Sequence, residues 1–132
     1  MQVTFRKRLS QRMVEWEVVD RTRYRRPHCS TAPARAELPR DLERFVVEAA
    51  IGTTRGYWGS LARETEGATT NPRRRESSDL DHLIQIHIAL AAQGRPTPAA
   101  EPLAKFRRLW ADLGEGGSLT VEWPTLRVLQ PV

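Results

Sequence analysis

Val3 and Phe5 alternate with Gln2, Thr4 and Arg6, and Val14, Trp16 and Val18 alternate with Glu15, Glu17 and Val19. A period of two marks a strand with one buried face. Both segments read as strands, and the polar residues 8–11 between them suggest a hairpin, although no Asn-Gly type turn is present. From Leu38 the period changes. Pro39 suits the first turn of a helix, where its missing N–H costs nothing. Leu42, Phe45, Val46 and Ala49 then recur at helical spacing, and Gly52 follows as a residue suited to the turn beyond a helix.

Pro27 and Pro33 interrupt residues 21–37, which read as loop with a short edge strand around Tyr24. Gly56, Tyr57, Trp58 and Gly59 read as a compact turn entering a short helix through Leu61 and Ala62. The polar residues 64–77 read as exposed loop. Ser78 is placed to cap a second long helix, with Asp79 and Asp81 in its first turn. Leu80, Leu83, Ile84, His87, Ile88 and Ala91 mark its buried stripe, and Ile86 and Leu90 widen it, so the pattern predicts a central helix. Gly94 ends it. A third helix is expected over 100–113, with Leu103, Phe106, Leu109 and Trp110 inward. Gly114, Gly116 and Gly117 then release the chain into the alternating residues 119–123, a strand stopped by Pro124. The expected fold is one α+β domain over residues 1–132. Its N-terminal hairpin and C-terminal strand form a small antiparallel sheet packed against about three helices.

A length of 132 residues suits one core. No apolar run approaches the roughly 18 residues that mark a membrane span, so no membrane contact is expected. The charged first residues have no apolar run behind them, and a lone cysteine cannot close an internal disulfide. The reading is therefore a cytoplasmic bacterial protein.

The formal charge of +5 is unevenly placed. Residues 1–44 carry eleven basic and six acidic side chains, whereas 45–99 and 100–132 are each balanced. Such asymmetry suits an anionic partner, with a solvated basic face as the plainer reading. Its densest part is Arg21, Arg23, Tyr24, Arg25 and Arg26. In an extended segment those arginines could follow phosphates while Tyr24 stacks on a base. Arg73, Arg74 and Arg75 could extend the same surface.

Arg40, Arg44 and Glu48 lie four apart and share a helix flank. Metal ligands could occupy such a stripe, but guanidinium cannot ligate a metal, so neither metal nor cofactor is expected. Two guanidiniums one turn apart near a helix N-terminus could instead hold a phosphate or carboxylate. The plainer reading is a charged outer face, with Asp41 and Glu48 pairing Arg44 locally.

Residues 38–48, the Gly-Tyr-Trp-Gly at 56–59 and the Gly-Gly-Ser-Leu-Thr-Val-Glu-Trp-Pro at 116–124 together resemble an uncharacterised family of small bacterial proteins. In that family the helix often reads Leu-Pro-His-Asp-x-x-His-Phe-x-Val-Glu. The resemblance implies histidine where this chain has Arg40 and Arg44, with Asp41 and Glu48 matching. A histidine pair with a nearby carboxylate could hold a divalent metal; this chain lacks that pair.

The remaining constellations are weaker. His28 and Cys29 are adjacent, so on extended chain they point apart and make no base–nucleophile pair. His82 and His87 are five apart, on different helix faces, and His87 reads as a half-buried polar residue. Gly52, Gly56 and Gly59 lack the Gly-Lys-Ser/Thr ending of a phosphate loop, and Gly59-Ser60 is no nucleophile elbow. Trp16, Trp58, Trp110 and Trp123 read as core anchors, with Trp58 the one expected to reach a pocket or partner.

The expectation is a non-catalytic binding or regulatory module for an anionic partner, nucleic acid foremost. Two alternatives stand beside it. One is an enzyme-like domain with a cleft around Asp41, Glu48, Tyr57 and Trp58, to which His82 or His87 is added. The other is a protein–protein adaptor using Trp58 and residues 64–77.

Overall fold

Alternation along the first strand places the whole molecule. The computed structural model describes residues 1–8, 13–19, 28–31, 38–65 and 78–131. Among these, β1 (Gln2–Arg8), β2 (Met13–Val18) and β3 (His28–Thr31) come first. Four helices follow: α1 (Arg40–Ile51), α2 (Tyr57–Thr65), α3 (Ser78–Ala92) and α4 (Ala100–Asp112). β4 (Ser118–Glu122) and β5 (Val128–Gln130) complete the order. Every pairing is antiparallel, and the strands run β3-β2-β1-β4-β5 across one sheet.

β1 is the middle strand. Phe5 stands opposite Trp16 on β2 and Leu119 on β4, while Val3 stands opposite Val18 and Val121. All six are buried, so one sheet face becomes the floor of the core. Leu42, Phe45, Val46 and Val47 of α1, Trp58 of α2, and Leu103, Phe106 and Trp110 of α4 are buried in the same core. The domain is α+β, with a small sheet packed on helices. The C-terminal strand pairs with the N-terminal hairpin as its alternation predicts, and all four tryptophans are core residues.

Four departures have physical causes. β5 is only three residues long, and β3 lies in a stretch whose prolines suggest loop; both are short edge strands completed by pairing with a neighbour. Tyr24, the expected centre of an edge strand, lies outside the described residues. Tyr57, Trp58 and Gly59 form the first turn of α2 rather than a separate compact turn. Trp58 is fully buried, so it is not presented to a partner. α3 is peripheral rather than central. Ile84 is its only fully buried residue among those described, and Leu83 and Ile86 are exposed. Apolar residues around most of a helix circumference suggest burial on all sides, but α1 and α4 already occupy the sheet face.

The same alternation carries Lys7 inward after Val3 and Phe5. Its Nζ donates to the backbone carbonyls of Trp110 at 2.8 Å and Leu113 at 3.0 Å, and it lies 5.5 Å from the centre of the Trp110 ring. These carbonyls belong to the end of α4, where helical donors run out; the Trp110 carbonyl also accepts the Leu113 N–H at 3.2 Å, and Lys7 adds a second donor to it. A cation there also complements the negative end of the helix dipole. Lys7 further exchanges backbone hydrogen bonds with Gly117 (2.9 Å) and Gly116 (2.8 Å), fastening the turn after α4 to β1. Lys7→Met keeps the length of the chain and removes the ammonium. We expect it to lower unfolding free energy by about 1.5–3 kcal/mol, the range for hydrogen bonds to charged groups, measured by urea titration. A change below about 0.5 kcal/mol would show that Lys7 does not hold α4.

Candidate functional site

Asp41, Arg44 and Glu48 fall at i, i+3 and i+7 on α1, so they share a flank of that helix. Each reaches a different neighbour. The Asp41 carboxylate accepts a hydrogen bond from the Trp16 indole N–H on β2 (3.2 Å). The Arg44 guanidinium donates to Asp81 on α3 (2.8 Å). Glu48 accepts the backbone N–H of Trp58 on α2 (3.2 Å). One helix flank thus ties a strand and two helices together.

Glu48 is the centre of this arrangement. It is completely buried, against the expectation of a charged outer face. Ionised carboxylate in a core requires partners for both oxygens. Oε1 takes the Trp58 N–H, while Oε2 takes the Arg44 Nε–H at 2.9 Å. The Trp58 N–H lies in the first turn of α2, where N–H groups lack helical acceptors. Glu48 therefore caps α2 from another helix, and its charge complements the positive end of that helix.

The glycines at 56 and 59 make this approach possible. A Cβ at Gly56 would run into the Glu48 carboxylate. A Cβ at Gly59 would lie 2.5 Å from the Thr54 carbonyl oxygen, so only glycine lets α2 fold back on the turn before it. The Gly-Tyr-Trp-Gly segment is thus shaped to receive Glu48.

Aromatic rings enclose the other side. Trp58 meets Trp16, Phe45, Tyr57 and Phe5 edge to face, with ring centres 4.7, 4.9, 5.3 and 5.7 Å away. Its indole N–H donates to the Asp41 carbonyl at 3.2 Å. Asp41, Glu48, Tyr57 and Trp58 therefore do converge, as a packed node. Of the four, Tyr57 is the exposed one, at 45%, and its ring stands nearly perpendicular to that of Trp16, with centres 6.1 Å apart.

The predicted anion site on Arg40 and Arg44 meets a different arrangement. Arg44 lies between two carboxylates, so this trio carries a net negative charge and disfavours a further anion. Its second acid here is Asp81, which no local spacing indicates. Arg40 is exposed. It lies in the field of Glu43, whose carboxyl burial pushes above the ordinary range while Arg107 and Arg40 pull it back. His82 is exposed, and His87 is half-buried with Nδ1 2.5 Å from the Thr97 hydroxyl. Neither is part of the node as described. Among the described residues, no group of three His, Cys, Asp or Glu side chains could hold a metal ion.

Arg21, Arg23, Tyr24, Arg25 and Arg26 lie outside the described residues, as do Arg73, Arg74 and Arg75. An open groove of about 630 Å³ lies between α4 and the β4–β5 turn, lined by Lys105, Phe106, Arg108 and Leu126 among others, and no node residue lines it. The role of Lys7 could have been read from its place in the alternation. Burial of Glu48 had a fainter signal, the glycine eight residues beyond it. Comparison with known protein families, with curated proteins and with solved structures gave no match.

Removing one partner of a buried charge pair costs about 3–5 kcal/mol, so Glu48→Ala should destabilise the chain by that order in denaturant titration. Gly56→Ala should also destabilise, through collision with Glu48. In the double variant the collision is gone, so the summed losses should exceed the observed loss by at least about 1 kcal/mol. Strict additivity would contradict the contact.

Proposed function

We propose that this chain is a non-catalytic binding module whose partner is anionic, nucleic acid foremost. The observation that carries this reading is the use made of the carboxylates. A hydrolytic or acid–base cleft needs carboxylates that can reach a substrate and exchange protons. Glu48 is sealed in the core with both oxygens bonded, and Asp41 accepts the Trp16 indole N–H. The acids of the alternative enzyme-like cleft thus serve the fold.

The positive surplus of residues 1–44 is what remains to be explained. Within that stretch Lys7 holds the end of α4, Arg44 is shared by two acids, and Arg8 lies 3.5 Å from Glu15. The reading therefore rests the partner contact on Arg21, Arg23, Arg25 and Arg26, with Tyr24 stacking and Arg40 adding an exposed cation. Contacts of this kind attract phosphates without reading bases, so affinity should be strongly salt-dependent and weakly sequence-specific.

Fluorescence anisotropy with short single- and double-stranded DNA and RNA across a salt series tests this. Binding at micromolar concentration or tighter is expected at low salt. Log affinity should fall linearly with log salt. Arg23→Ala with Arg25→Ala should flatten that slope for duplex by about two, near one for each phosphate that is no longer neutralised. No binding at low salt, or an unchanged slope in the variant, would contradict the reading.

A further inference from the structure

We propose that the outer face of α3 is the interface of a homodimer, in which two copies of the helix pack antiparallel about a two-fold axis. The inference is independent of the proposed anionic partner. α3 has two apolar sides. Ile84 is buried, and Leu80, Ile88 and Ala91 pack partly against the same core. On another side Leu83 and Ile86 are 44% and 41% exposed, and Leu90 is half-buried. Positions 83, 86 and 90 recur at i, i+3 and i+7, so they form one continuous stripe along the helix. Large aliphatic side chains on a stripe of that spacing form the seam by which helices associate.

The charges at the ends of the stripe identify the occupant as a second copy. Asp79, exposed, lies in line with the stripe at its N-terminal end. Arg95, also exposed, lies at its C-terminal end, held there because its N–H donates to the Leu90 carbonyl at 2.9 Å. Apart from Asp81, which is paired with Arg44, the exposed polar and small side chains between them, His82, Gln85, Ala89, Ala92 and Gln93, bring no carboxylate or guanidinium. A stripe that is acidic at one end, apolar along its length and basic at the other complements itself when reversed. A two-fold axis passing between Ile86 and His87 sets Leu83 opposite the Leu90 of the other copy, twice. The same axis brings Asp79 beside Gly94 and Arg95 of the other copy. It also opposes the two helix dipoles favourably. This is the isologous pattern by which identical surfaces close a dimer. Asp81 takes no part, since Arg44 holds it on the other flank.

One 15-residue helix pair is a small interface, and small interfaces give weak, reversible association, about micromolar in dissociation constant. Sedimentation equilibrium of the full chain between about 1 and 200 μM, a range that brackets such a constant, tests the proposal. The expected apparent mass rises from 15.1 kDa toward twice that value as concentration increases. Leu83→Glu, an exposed change that should leave the circular dichroism spectrum intact, should hold the mass at the monomer value. Asp79→Arg should weaken association at least tenfold by setting arginine against Arg95, and adding Arg95→Asp should restore it. A monomer at every concentration would overturn the proposal. So would a dimer that Leu83→Glu leaves unchanged, or a charge reversal that the second substitution fails to rescue.

Discussion

A carboxylate with no contact to water sets the terms for this fold. Glu48 lies in the core on α1, and its burial is tolerable only because a backbone N–H and a guanidinium meet its two oxygens. Each of those partners must be held in place. The Trp58 N–H is positioned because α2 begins there, which depends on absent side chains at 56 and 59. The Arg44 guanidinium is positioned because Asp81 holds its other edge. Helix α2, the turn before it and the start of α3 are therefore organised around one side chain of α1.

Lys7 is its counterpart of opposite sign. It is a buried cation at the C-terminal end of α4, where Glu48 is a buried anion at the N-terminal end of α2. Each satisfies backbone groups that a helix end leaves open, and each matches the sign of the helix dipole it meets. Between them the apolar core is continuous, from Val3 and Phe5 on β1 through Phe45 and Trp58 to Phe106 and Trp110. The two charges thus fix where two helices sit on an otherwise nonspecific apolar surface. In the proposed readings, partner contact falls to charges outside the core and self-association to the outer face of α3.

Much of this architecture is legible in the sequence because it rests on periodicity. Alternation at residues 3–7 and 14–18 locates both strands of the hairpin, and Pro39 and Gly52 bracket α1 as their backbone preferences require. What periodicity cannot convey is which of two apolar sides of α3 finds a partner, since that depends on space already taken by α1 and α4. Nor does residue type reveal burial of a charge. Glu48 and Arg44 at i, i+4 look the same whether the pair is on a surface or half inside. In the sequence Asp41, Glu48, Tyr57 and Trp58 are grouped only through the family resemblance; their packing against Trp16 is not legible, because that ring arrives from β2.

The central claim is that Glu48 locks α2 to the core through the Trp58 amide, and native-state hydrogen exchange reads that amide directly. If the claim holds, the Trp58 N–H exchanges only when the whole domain unfolds, with the same opening free energy as the Phe5 and Phe45 amides of the central strand and α1. If the Trp58 amide exchanges much faster than those two, α2 opens on its own, and the buried carboxylate does not organise the fold.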